Sequence, residues 1–157
     1  MIRKARVSDY DQLIKIFSLA KEFMKKSGNP NQWKDDYPGV NFIEEIKNGH
    51  IYLLEDEKIY GVFSLLTHDP NYEYIKGEWL NDKPYLAIHR VASDGSRKKV
   101  FEDINDFALK KGCDLKIDTH KDNKVMQDII LRQSYKYCGI IYLANGEERL
   151  AYQLENK

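Results

Sequence analysis

Three consecutive cations, Arg97, Lys98 and Lys99, stand where a strand-like run, Tyr85–Ala92, gives way to a turn at Asp94-Gly95 and then to a helical pattern. Backbone N–H groups at a helix N-terminus, with the helix dipole behind them, form an anion site, and neighbouring cations strengthen attraction to a phosphorylated ligand. A solvated charge run after a turn has the same composition, so residue type alone leaves both readings open. His89 on this strand and His120 after a second apolar strand change charge near neutral pH, which suits proton transfer. The competing reading of each is a structural histidine. Asp118 lies close to His120 in the chain, placed to orient a histidine, grip an amine, or cap a strand end.

The elements that position these residues follow from apolar spacing. Met1–Val7 reads as a strand, and Ser8, with Asp11 three residues on, caps a helix. That helix carries its apolar stripe on Leu13, Ile16, Phe17, Ala20, Phe23 and Met24, and Gly28-Asn29-Pro30-Asn31 stops it. A loop with Trp33, Tyr37 and Pro38 leads to a short helix near Phe42–Lys47. The strands His50–Glu55 and Ile59–Leu66 follow, and the polar, aromatic stretch Thr67–Lys83 reads as an excursion from the sheet. After Tyr85–Ala92 come a helix marked by Val100, Phe101, Ile104, Phe107 and Ala108, and the strand Leu115–Thr119. A helix over Asn123–Ser134 is expected to bury Val125, Met126, Ile129 and Ile130, and a hairpin of Tyr137–Tyr142 with Arg149–Leu154 ends the chain. The strand–helix–strand unit requires parallel strands and the hairpins antiparallel ones, so the sheet is mixed and the class α/β of the α+β type.

At 157 residues, with no repeat or linker, the chain reads as one domain, residues 1–157. Twenty-five basic residues offset twenty-five acidic ones, which leaves no broad electrostatic footprint for nucleic acid or an anionic membrane. No segment approaches the length of a membrane helix, and nothing at the N-terminus resembles a signal peptide. Cys113 and Cys138 match no metal or redox spacing, so a reducing cytoplasm is expected and no metal site.

Several dispersed segments resemble, in order, one bacterial subgroup of the GNAT N-acetyltransferases. They are Asn31-Gln32-Trp33 with Tyr37-Pro38, Trp79-Leu80-Asn81-Asp82, Ile88-His89-Arg90-Val91-Ala92-Ser93-Asp94-Gly95, Ile117-Asp118-Thr119-His120, Asp122-Asn123-Lys124 with Met126-Gln127, and Tyr135 through Leu143. The resemblance implies a central sheet of about seven strands with about four helices, whose fourth and fifth strands splay apart to hold acetyl-CoA by β-augmentation. On that reading Val91 and Ala92 bind near the thioester, Ser96, Arg97, Lys98, Lys99, Val100 and Phe101 hold the pyrophosphate, and Asn123 touches the cofactor or caps its helix. Trp33, Tyr37 and Trp79 are implied walls of an acceptor site, or covers of the core.

Two positions depart from the family pattern. Its phosphate loop has Gln or Arg, then Gly, then Gly or Ala, where this chain has Ser96, Lys99 and Phe101; its catalytic tyrosine corresponds to Ile130. His89, His120 and Asp118 are therefore the candidates for proton handling, with Tyr142 as a replacement acid. The expected activity is acetyl transfer from acetyl-CoA to a primary amine of a small molecule or peptide, by direct attack in a ternary complex. The alternative is a catalytically degenerate acyl-CoA-binding or regulatory module. A homodimer is compatible with the terminal hairpin.

Overall fold

The computed structural model describes residues 1–34, 37–39 and 41–157. Its strands are β1 (Ile2–Lys4), β2 (Ile51–Glu55), β3 (Ile59–Leu66), β4 (Lys76–Gly77), β5 (Tyr85–Ser93), β6 (Asp114–Thr119), β7 (Lys136–Tyr142) and β8 (Glu148–Leu154). The helices are α1 (Tyr10–Lys26), α2 (Phe42–Lys47), α3 (Val100–Leu109) and α4 (Lys124–Arg132). All eight strands form one sheet in the order β1-β2-β3-β5-β6-β8-β7-β4, and β5 with β6 is its parallel neighbour pair.

Helices cover both faces. Alternate residues of a strand point to opposite sides. Leu53 and Val62 therefore pack with Leu13, Ile16 and Phe17 of α1 and Phe42 of α2, while Leu54 and Phe63 face the side where Phe101, Ile104 and Ala108 of α3 meet Ile130 of α4. A third, smaller cluster of Tyr72, Ala87, Ile141 and Ala151 continues the α1 face toward the terminal hairpin, with Trp79 and Tyr85 against it.

Five expectations change. β1 is three residues long, because the chain turns at Val7–Asp9 into one turn of 3-10 helix. Ser8 does not cap α1: the Asp9 carboxylate accepts the Arg6 N–H at 2.8 Å and a two-pronged bond from the Arg3 guanidinium, and α1 starts at Tyr10. The strand count is eight, since the excursion from Thr67 contributes the two-residue β4. Val125 is exposed and not on the buried face of α4, and Phe23, at 58% exposure, leaves the stripe of α1.

β4 meets β7 through a pair of glycines. Gly77 and Gly139 are partners, both at positive φ, and a Cβ on either would come within 2.3 Å of the opposing carbonyl oxygen. Only glycine allows that approach.

Candidate functional site

Strands β5 and β6 pair through only three rungs, Tyr85 with Asp114, Leu86 with Leu115 and Ala87 with Lys116, after which both strands continue and the pairing ends. The cause lies on the other side of β5. Ser64 of β3 pairs with His89 and Val62 with Ala92, so Phe63 faces both Arg90 and Val91. This is a β-bulge, with Arg90 at φ 52°, and a bulge bends its strand and increases local twist. The closed end of the fork is pinned by buried Asp114, which accepts from Asn81 Nδ2, Gln153 Nε2 and the Asn156 N–H. The open end is tied to the loop after α1, where Gln32 Oε1 accepts from Thr119 Oγ1, the His120 N–H and Asn123 Nδ2.

The fork opens into a cleft of about 1270 Å³. Val91, Ala92, Arg97, Lys99, Val100, Phe101 and Asn123 line it, as do His89 and Asp118 at its root and Trp33 and Tyr37 beside α1. Among the sequence candidates, Ser96, Lys98, His120, Tyr142 and Trp79 do not line it.

At the outer end, α3 begins without a side-chain cap, and its first residue position is preceded by Lys99 at φ 61°, ψ 24°. This left-handed conformation favours glycine, and the first N–H groups of any helix lack intrahelical acceptors. The neighbouring side chains are partly committed. Asp94 accepts from the Ser96 N–H and Oγ and pairs with Lys58, while the Arg97 guanidinium forks onto Asp56 at 2.7 and 3.0 Å and lies over the Tyr60 ring. Phe101 turns away from the loop into the core against Tyr135, so its bulk leaves the helix end open.

At the root, His89 Nε2 sits 2.7 Å from Asp69 Oδ2, and His89 Nδ1 is 3.8 Å from Asp118 Oδ2. The Tyr72 hydroxyl donates to that same Asp118 oxygen at 2.6 Å. Asp69 also accepts the Asn71 N–H, and its own N–H donates to the Tyr85 hydroxyl. The side chains of His89, Asp69 and Asp118 are 17%, 9% and 11% exposed. Burial works against charge on His89, but the Asp69 hydrogen bond and the two carboxylates outweigh it and raise the imidazole above its ordinary value. Burial opposes ionisation of Asp69 as well; the His89 bond and charge and the Asn71 N–H win, and its pKa is lowered. Tyr72 is held far above a normal phenol by burial and by the Asp118 charge, so it stays a donor. Asp69, His89 and Asp118 offer ligand atoms within 4.8 Å of one another. Asp69 and Asp118 address different ring nitrogens, though, so a cation at either nitrogen has one carboxylate on its side; the geometry suits protons better than a metal.

The remaining candidates sit elsewhere. His120 accepts the Asp122 N–H through Nδ1, and burial lowers its pKa. Tyr142 stacks on Tyr74 at 6.1 Å. Trp79 donates to the Tyr72 carbonyl and, with Tyr85, sandwiches the Lys116 ammonium at 4.0 and 4.1 Å. Asn123 is an N-cap, its Oδ1 accepting the Met126 N–H while Nδ2 goes to Gln32. Ile130 is fully buried and does not line the cleft, whereas Lys124, Val125, Met126, Ile129 and Arg132 of α4 do. Sequence reasoning missed Asp69 and Tyr72 in the excursion; the Asp69-Pro70 step that opens a turn was the one local signal.

No family model matches the chain, and no curated protein matches it. Among solved structures, a GNAT-family acetyltransferase from Streptococcus agalactiae 2603 is 32% identical, with a TM-score of 0.86 over 100% of this chain and 95% of that one. A GNAT-family acetyltransferase from Listeria monocytogenes 4b F2365 is 20% identical at TM-score 0.71, covering 99% of this chain and 94% of that one. A ribosomal-protein-alanine N-acetyltransferase from Brucella melitensis is 17% identical at TM-score 0.59, with 99% of each chain covered. These last two share the fold. No described helix is long and apolar enough to cross a membrane. With all of its residues matched to a 32%-identical relative, the chain belongs to the GNAT family of acetyltransferases.

Proposed function

We propose that the protein transfers an acetyl group from acetyl-CoA to a primary amine of a small molecule or peptide, by direct attack with both substrates bound. The observation that carries this reading is the fork: β5 leaves β6 after three rungs, beside a helix start with no side-chain cap. An acyl thioester with a pantetheine arm fits such a slot as an added strand, and a pyrophosphate fits the helix N-terminus, where Lys99 adds charge. Val91 and Ala92 lie along the slot, and Val100 and Phe101 offer backbone N–H groups at its end. His89 and Asp118, on the α1 side of the fork root, are the groups placed to handle the proton of the attacking amine.

A second reading has one observation in its favour. The loop carries Lys99 and Phe101 where relatives have glycine or alanine, and Arg97 is engaged by Asp56, as a non-catalytic acyl-CoA-binding module would tolerate. One experiment separates the two. Saturating acetyl-CoA, at about 100 times its Kd, stabilises a single-site binder by about 2.7 kcal/mol, which is a rise in Tm of roughly 5–10 °C for a chain of this size. Adding a panel of primary amines then releases free CoA thiol if the protein is an acetyltransferase of such amines. Stabilisation without thiol release from any amine favours the module; no stabilisation at all refutes both. The thiols Cys113 and Cys138 are unbridged, which fits a cytoplasmic protein.

A further inference from the structure

Resting on the acetyl-transfer reading, the geometry points to Asp69 as the positioning residue that makes His89 Nδ1 the proton acceptor, with the substrate ammonium nitrogen bound between Nδ1 and the Asp118 carboxylate. The acceptor class is accordingly a protonated aliphatic primary amine.

The argument starts from donor and acceptor inventory. An ionised carboxylate only accepts, so the 2.7 Å contact with Asp69 requires the proton of a neutral His89 to sit on Nε2. Nδ1 then carries the lone pair. It faces Asp118 Oδ2 across 3.8 Å, too far for a hydrogen bond between them. A gap of that width between two acceptors admits one nitrogen placed about 2.9 Å from each, an ordinary N–H···O or N–H···N distance. Asp118 is held for this role from the other side, because Tyr72 is buried and donates to the same oxygen. Among the described residues, the charges that act on His89 are those of Asp69, Asp118 and Arg90. Asp69 and Tyr72 come from the excursion after β3, Asp118 from β6, and Tyr85, which accepts the Asp69 N–H, from β5 itself. Arg90, next in the chain, directs its Nε to the Pro38 carbonyl and its guanidinium over Tyr37. Two carboxylates face the imidazole directly, and although the Arg90 charge opposes them the imidazole is still raised, an environment that attracts a monocation.

The step balances as follows. The ammonium gives one proton to solvent as it settles, and its lone pair attacks the thioester carbon. The C–N bond forms and the C–S bond breaks, the second nitrogen-bound proton passes to His89 Nδ1, and the sulfur leaves as thiolate. The imidazolium returns that proton to the thiolate, giving free thiol.

The first test needs no acceptor. Long-range proton–nitrogen NMR of the four histidine rings, with His89 assigned by loss of its signals in His89→Gln, reports tautomer and titration. The expected result is an Nε2–H tautomer for neutral His89, and a titration midpoint that falls by about one pH unit in Asp69→Asn, where the carboxylate charge is gone. An Nδ1–H tautomer in the wild type, or a midpoint unmoved by Asp69→Asn, overturns the proposal even if that variant is impaired in folding, since the tautomer is read on the unaltered chain. The second test uses spermidine and a lysine-containing peptide as acceptors. In Asp69→Asn, kcat falls about 100-fold or more and the acid limb of the rate profile moves to lower pH, while the Kd for acetyl-CoA stays within twofold. Wild-type turnover with Asp69→Asn at full rate refutes the role of Asp69 and leaves acetyl transfer standing; a wild type inactive toward all amines refutes the underlying activity instead.

Discussion

Replacing Lys99 probes the departure at the phosphate end. Lys99 holds φ 61° as the residue before α3, a conformation that costs a side-chain-bearing residue about 1–2 kcal/mol. Glycine removes that strain but brings back about 0.5–1 kcal/mol of chain entropy in the unfolded state. Lys99→Gly should therefore gain about 0.5–1 kcal/mol, a rise in Tm of about 1–4 °C at this chain length. Lys99→Ala keeps the Cβ at positive φ, so it isolates the backbone effect from the lost charge. The glycine variant should exceed the alanine variant by about 1 kcal/mol in urea unfolding. The same pair reports on the ligand: both lack the ammonium, and only glycine lets a phosphate approach the residue-99 amide without a side chain in the way. Calorimetric titration with acetyl-CoA should give the tighter Kd for Lys99→Gly. An alanine variant as stable as the glycine one, binding equally well, refutes the claim that this residue occupies a glycine position. Pairing the change with Phe101→Gly would obscure the result, because Phe101 is buried and truncating a core phenylalanine to alanine already costs about 3–5 kcal/mol.

Other outcomes follow from the same geometry. The raised His89 contributes stability fully below its unfolded value of 6.5, lost as pH rises through the folded value. The lowered Asp69 contributes above 3.8 and loses it as pH falls through its own. The Tm gap between wild type and Asp69→Asn, followed by calorimetry, should thus be widest between those two values and narrow on both sides. Gln32→Leu leaves the buried Thr119 hydroxyl and the half-buried Asn123 amide without their acceptor and should cost about 1–3 kcal/mol, measured by urea unfolding, with loss of turnover as the open end of the fork relaxes. Ile130→Tyr, which installs the tyrosine that the family resemblance implies for this position, should lose about 1–3 kcal/mol by overpacking, with no gain in kcat, since this position faces the core. Asp56→Asn should release Arg97 and tighten acetyl-CoA binding at low salt, an advantage that fades at high salt.

Much of the frame was legible because local pattern and global fold agree. The strand–turn–helix–strand run from Tyr85 to Thr119 could only be a parallel crossover, and α3 buries Phe101, Ile104 and Ala108 at the spacing that predicts it. The cation run after Asp94-Gly95 stands directly before the start of α3. What periodicity could not supply was contact across the fold. Asp69 meets His89 from 20 residues away, Tyr72 reaches Asp118 across 46, and Gln32 reaches Thr119 across 87. Those partners lie in loops, where nothing repeats. His89 and His120 read alike as residue types; only their surroundings part them, one between two carboxylates and the other turned to its own backbone. That Lys99 would adopt a left-handed backbone was not legible either, since a lysine rarely takes one.

The double-glycine rung between β4 and β7 has a reach well beyond the sheet margin. It anchors the far end of the excursion that begins at Thr67 and delivers Asp69 and Tyr72 to the fork. A methyl group at either Gly77 or Gly139 would push the two backbones apart and slacken that strap, so mutations at the rim of the molecule should misalign a proton path they never touch. Selection on catalysis would then be felt at two positions with no side chain at all.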